Sequence, residues 1–201
     1  MFELTDMGKP SKIVGIEINQ HADYIAISQT KYIKSILHKE GMENVNPVST
    51  PLDPNVKLEP NPEAAESNRS NTYASLIGSL QYLATATRPD IAYAVNRLAS
   101  YTANPTLTHY SAAKRVLRYL KGTKDYRIKY YANSTQNNTP GNSNFCYGYA
   151  DAAFANADGY KSTSGYVFLS NGGAITWGSR KQTVIALSST EAEYVALSEA
   201  S

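Results

Sequence analysis

Asn171-Gly172-Gly173 separates two β-prone runs, 163–169 and 174–178. Asn and Gly both tolerate the left-handed backbone that a two-residue hairpin turn demands, so this segment predicts two antiparallel strands in one register. A third strand-like run, 145–150, precedes them across a polar stretch, 152–162, and a helix-like run follows from about residue 190. Strand, strand, strand, helix is a tight constraint: a small antiparallel sheet with a helix beside it.

Upstream the pattern changes. Residues 13–18 and 24–27 read as strands, and the polar 19–23 between them suggests a hairpin. Ser28 is placed to cap a helix whose apolar stripe is Tyr32, Ile33, Ile36 and Leu37, ending near Gly41. Residues 45–72 hold five of the nine prolines, which predicts an extended connector or flexible loop and a module boundary. Three helical patterns follow: 73–85 (Leu76, Ile77, Leu80, Leu83), a second opened by Arg88-Pro89-Asp90 and running to Ser100 (Ile91, Ala94, Val95, Leu98), and a third from Asn104-Pro105 to Lys121 (Tyr110, Ala113, Leu117, Leu120). Residues 127–131 can form a strand, and 133–144, rich in Asn, Ser and Thr, a loop or linker. The expectation is a mixed α/β (α+β) chain divided at 1–45, 46–72, 73–132, 133–144 and 145–201. A hairpin and one helix bury little surface, so 1–45 is expected to pack poorly unless something else joins it.

Charge is informative only locally. The formal net charge is +2, yet residues 114–129 carry seven cations against one acid, Asp125. Lys114, Arg118 and Lys121 fall one helical turn apart on one face, which suits a phosphate backbone or, equally, a solvated helix side. The single cysteine, Cys146, excludes an internal disulfide and a Cys-rich zinc site, and His21, His38 and His109 share no ligand-like spacing. No apolar run is long enough to span a bilayer and residues 1–6 lack signal-peptide character, so an intracellular chain, cytoplasmic or nuclear, with no membrane partner is expected.

The constellation that reads as chemistry is a pair of carboxylates. Asp151 closes the 145–150 run and Glu193 opens the last helix. One acid on a strand and one at a helix start beside the same sheet can share Mg²⁺, which takes oxygen ligands and keeps several waters. Phosphodiester hydrolysis by two such ions wants more acid than this pair supplies. The bland alternatives are specific: Thr190/Glu193 and Ser188/Glu191 both match a capping box, and an aspartate commonly ends a strand. Glu193 shares its stripe with Ala196, Leu197 and Ala200, so Glu191 suits capping and Glu193 the site.

These residues bring a family into view. Gly148-Tyr149-Ala150-Asp151-Ala152-Ala153-Phe154, Lys161-Ser162-Thr163-Ser164-Gly165-Tyr166, Trp177, Lys181-Gln182 and 187–194 resemble the ribonuclease H module of copia-type LTR retrotransposon polyproteins. Val14-Gly15-Ile16-Glu17-Ile18 resembles the closing palm hairpin of their reverse transcriptase, 32–51 the thumb, and Thr87-Arg88-Pro89-Asp90-Ile91 with 114–122 the helical connection. The resemblance implies a partial ribonuclease H-like fold with the Asp151 strand left at a sheet edge. It implies an RNA–DNA hybrid as substrate, a two-Mg²⁺ cut, and Asp151 and Glu193 as catalytic, metal-binding carboxylates. The family's polymerase aspartate pair and its later ribonuclease H carboxylates have no counterpart here, and Ala153 and Phe154 stand where the family has Asp and Trp. It therefore also implies a segment inactive alone, completed by the rest of a polyprotein. A non-catalytic RNA- or hybrid-binding remnant, or a pseudogene product without a role, are the other readings.

Overall fold

In this computed structural model residues 8–62, 67–132 and 146–201 are described. The expected linker at 133–144 and residues 1–7 lie outside them. Two antiparallel sheets and five α-helices make up the rest.

The first sheet has the order β1 (Lys12–Ile13), β2 (Ile16–Gln20), β3 (Tyr24–Ser28), β4 (Ile128–Tyr131). The β2–β3 hairpin lies where the sequence predicts it. β4 arrives from a hundred residues away and pairs from Tyr24↔Tyr131 to Ile27↔Ile128. That strand is the partner the hairpin needed, with Ala26 buried beside it, while Ile33, Ile36 and Leu37 are buried in a core shared with the later helices.

Ser28 does not cap α1 (Thr30–Lys39). It is the last residue of β3, buried opposite Glu17, to whose carboxylate it donates at 3.4 Å. The far end of α1 closes as expected: Gly41 sits at φ +64°, its N–H reaches the His38 carbonyl, and the Met42 N–H reaches Leu37. This is a Schellman closure, for which glycine has no Cβ penalty.

Helix α2 (Ser67–Ala86) starts earlier than its apolar pattern, inside the proline-rich stretch. Pro89–Ile91 forms a 3-10 turn leading into α3 (Ala92–Ala99), proline fitting a first turn because its missing N–H is an orphan there anyway. Thr106 and His109 form a capping box at the start of α4 (Leu107–Gly122). Ile33, Leu76, Leu80, Leu83, Ile91, Leu98, Leu117 and Leu120 belong to one core drawn from all four helices. The connector is less loose than its prolines suggest. Val45, Val48 and Leu52 pack on that core and Leu58 is buried in it.

The second sheet has the order β5 (Tyr147–Ala157), β6 (Lys161–Ser170), β7 (Gly173–Lys181), followed by α5 (Ser189–Ala200). Asn171 and Gly172 turn the hairpin at φ +52° and +80°. All three strands outrun their sequence patterns, and most of 152–162 is strand rather than loop. A register shift between Ala153 and Ala157, with Ala155 at φ +48°, lets β5 bend and keep pairing. Asp151 consequently sits mid-strand, opposite Gly165, and does not close the strand. Among the described residues β5 is an edge of this sheet. The two sheets meet where the Tyr131 N–H donates to Asn171 and the Tyr130 hydroxyl to Ala174.

Candidate nucleic-acid interface and the two carboxylates

Cross-strand partners in an antiparallel sheet share a face, and alternate residues take opposite faces. Asp151 pairs with Gly165 and Gly165 with Ser179, so this face also carries Tyr149, Val167 and Trp177. The Trp177 indole N–H donates to the Ala84 carbonyl on α2 at 2.6 Å, so this face is turned to the helices. The opposite face carries Ala152, Ser164 and Arg180. There the buried Gln182 amide donates to Ser164 Oγ at 3.0 Å and to the Ala192 carbonyl of α5 at 2.9 Å. Helix α5 therefore lies on the face away from Asp151, with Ala192 and Ala196 buried against the sheet.

Asp151 therefore stands on the face of the sheet away from α5, the helix that carries Glu193. Asp151 is exposed and its Oδ1 accepts from the Ala152 N–H at 2.9 Å. Glu193 is half-buried beside Ala192. Glu191 takes the capping role expected of it: its carboxylate accepts from the Leu187 N–H at 2.7 Å, while Ser188 Oγ accepts from the Glu191 N–H at 3.1 Å. Among the described residues no three His, Cys, Asp or Glu side chains are grouped to hold a metal ion. Asp151 and Glu193 alone supply too few carboxylate oxygens to hold two Mg²⁺ ions.

On α4 the three cations have local work. Arg118 Nε donates to the Asn46 carbonyl at 2.8 Å and Lys121 Nζ to Val45 at 2.6 Å, strapping the connector to the helix. Lys114 Nζ stands 4.8 Å from the centre of the Tyr110 ring. The acceptors are neutral carbonyls and a ring, so the positive charge is not cancelled. Arg115 by contrast faces Asp53 at 3.5 Å. The half-exposed face of Lys114, Arg118 and Lys121 is a positive surface held in place by the chain's own backbone.

Two polar clusters escaped the sequence reading. Arg88, buried at 2% exposure, grips Asp90 with two hydrogen bonds and Thr123 with two more. The Tyr119 hydroxyl also donates to Asp90, and burial first, then this bond, pushes its pKa up to about 12. Asp158, past the β5 irregularity, accepts from Tyr101 at 2.8 Å and from Arg97 at 3.1 Å. Burial pushes the Asp158 carboxyl up, but the Tyr101 and Arg97 bonds outweigh it and hold its pKa below the usual range. Arg88-Pro89-Asp90 looks like a helix opener in sequence, and Asp158-Gly159 like a turn; only three-dimensional neighbours reveal them as ties between segments.

Two antiparallel sheets around a helical core, with a basic helix face, define a mixed α/β chain, and by family it belongs to the copia-type retrovirus-related Pol polyproteins of transposons. Residues 1–54 match the reverse transcriptase (RNA-dependent DNA polymerase) family. The chain is 38% identical, over 98% of its length, to the retrovirus-related Pol polyprotein from transposon TNT 1-94 of Nicotiana tabacum, of which it spans 15%. It is 38% identical over 96% of its length to the Pol polyprotein from transposon RE1 of Arabidopsis thaliana, spanning 13% of it. Against the uncharacterized mitochondrial protein AtMg00810 of Arabidopsis thaliana it is 36% identical over 98% of its length, spanning 78% of that protein. No solved structure matches. Among the described residues no helix is long and apolar enough to cross a membrane.

Proposed function

We propose that this chain is the stretch of a copia-type Pol polyprotein that runs from the end of reverse transcriptase into ribonuclease H, and that it holds nucleic acid without cutting it. The observation that carries this reading is the positive face of Lys114, Arg118 and Lys121 on α4, whose charge meets only neutral carbonyls and a ring. Asp151 stands on the sheet face away from α5, and a two-metal cut needs more carboxylates than these two, which supports the non-cutting half. The strand–strand–strand–helix order over 147–200, with the motifs quoted above, supports the relation to ribonuclease H. The uncancelled charge of Lys114, Arg118 and Lys121 supports contact with the phosphates of an RNA–DNA hybrid.

Hybrid binding measured by fluorescence anisotropy tests it. Affinity should fall steeply with salt, and Lys114→Gln/Arg118→Gln/Lys121→Gln together should flatten the salt slope, since each phosphate contact contributes roughly one unit to it. Mg²⁺ should give no cleavage. Cleavage that disappears in Asp151→Asn would overturn the non-cutting half of the proposal, and salt-independent binding the other half.

A further inference from the structure

Of the seven cations at 114–129, three form the α4 face and Arg115 faces Asp53. The other three, Lys124, Arg127 and Lys129, run from the end of α4 into β4, and none has an ion-pair partner among the described residues. They lead to a cluster of rings. Tyr24 on β3 and Tyr131 on β4 stand directly opposite each other and share a face, and Lys129, two residues before Tyr131, lies on that face too. The two tyrosine ring centres are 5.7 Å apart. From the β2–β3 turn His21 stacks on Tyr24, with ring centres 4.3 Å apart and planes 26° apart. Lys129 Nζ stands 4.9 Å from the Tyr24 ring centre. His21 is exposed and Tyr131 is 37% exposed, so both offer ring surface to solvent.

The backbone holds this cluster in place. The Ala132 N–H donates to the Asp23 carbonyl and the Tyr131 N–H to Asn171, each at 2.9 Å. Gly172 packs against the Tyr131 ring so closely that a Cβ there would stand 3.2 Å from it. A cross-strand tyrosine pair is ordinary sheet packing. That packing does not account for a third ring and a cation brought onto the same tyrosine.

We propose that the cluster is a site for single-stranded nucleic acid. Bases stack on His21 and Tyr131, and the phosphates follow Lys129, Arg127 and Lys124 back toward α4. Ring faces accept any base and neighbouring cations hold the backbone, which is the combination that binds an unpaired strand. A duplex keeps its base faces inside its own stack and cannot use the rings. Asp23 and Asp125 lie close by in sequence and lower the local charge, so stacking rather than charge carries the affinity. Such a site goes beyond the hybrid-holding role and uses none of its three cations.

Fluorescence anisotropy on the full chain tests it, with an oligothymidylate of about six nucleotides and an abasic chain of equal phosphate count as probes. The oligothymidylate should bind about tenfold more tightly than the abasic chain. His21→Ser, an exposed change, should weaken the oligothymidylate about fivefold and leave hybrid binding unchanged, and His21→Phe, which restores a ring, should recover it. Lys129→Gln should lower the salt slope by about 0.7, the share of one phosphate on a single strand. The wild-type comparison of the two probes stands even where a variant fails to fold. Equal binding of both probes overturns the proposal, as does wild-type affinity in His21→Ser or an equal loss of hybrid and single-strand binding there. Hybrid binding without oligothymidylate binding sinks the single-strand site alone, and the reverse sinks the hybrid-holding role alone.

Discussion

Removing Asp90 should destabilise this protein more than removing Arg88, although the two make the same ion pair. Arg88 Nε and Nη2 reach the Asp90 oxygens at 2.8 and 2.6 Å, and Nη1 and Nη2 reach the Thr123 carbonyl and Oγ1 at 3.1 and 2.6 Å. The guanidinium also lies 5.7 and 5.5 Å from the ring centres of Tyr119 and Tyr126. The partners differ in surroundings: the Arg88 side chain is 2% exposed and that of Asp90 29%. Asp90→Asn leaves a charge in a nearly dry site with only neutral partners, which costs about 3–5 kcal/mol. Arg88→Met removes the buried charge and fills the space with apolar atoms. Asp90 then regains water and keeps its Tyr119 bond, so the cost falls to about 1–2 kcal/mol for the abandoned Thr123 acceptors. The double variant should sit close to Arg88→Met alone, giving a coupling of about 2 kcal/mol or more. Urea unfolding at constant m measures all four corners. Arg88→Met costing as much as Asp90→Asn, or strict additivity of the two, would refute the reasoning.

Three further outcomes follow from features of the same fold. His109 is buried against Tyr101 with ring centres 4.1 Å apart, and burial lowers its pKa from the ordinary 6.5. The unfolded chain therefore takes up a proton that the folded one refuses, and the contribution of His109 to stability, full above the unfolded value, is lost as pH falls below it, by at most ~1.4 kcal/mol per pH unit; unfolding curves between pH 7 and 5 should show this, and an unchanged pH slope in His109→Gln would contradict it. Val14, 81% exposed, holds φ +46° in the turn Val14-Gly15, an expensive conformation for a β-branched residue, so Val14→Asn should gain ~1 kcal/mol and raise the melting temperature by ~2–4 °C, whereas a lower value would count against strain there. Edge strand β5 pairs on one side and β6 on both, so hydrogen exchange should protect 163–169 more strongly than 147–153, and equal protection in a dilute monomer would mean that something covers the edge.

Local chemistry made much of this fold legible. The Asn171-Gly172 turn, the glycine closure after α1 and the apolar stripes of α2, α3 and α4 all act within a few residues, and the structure follows them. The capping of α5 was half legible: Ser188/Glu191 and Thr190/Glu193 both fit the pattern, and the chain uses the first. What sequence could not show is set by partners far along the chain. Glu17 claims Ser28 from its expected cap, and β3 claims β4. The connector looked loose because proline marks irregular backbone, and irregular backbone can still be tied down, as Arg118 and Lys121 do at Asn46 and Val45. For the carboxylates, residue type and spacing suggested a shared ion, but a strand alternates sides at every residue. Whether Asp151 faces α5 depends on register and on which face the helix chooses, and neither is written locally.

The pairing of β3 with β4 has a bearing on how the molecule assembles. Residues 24–27 wait for 128–131, so the first sheet closes only after four intervening helices have brought its last member home. Bringing together such distant stretches is the slow kind of step, because a long loop must be immobilised before any reward arrives. During synthesis on the ribosome the opening hairpin would remain without its flank until most of the chain had emerged. Any shortened version stopping before residue 128 would leave that flank bare, and the ribs of β3 would be free to seize another molecule instead.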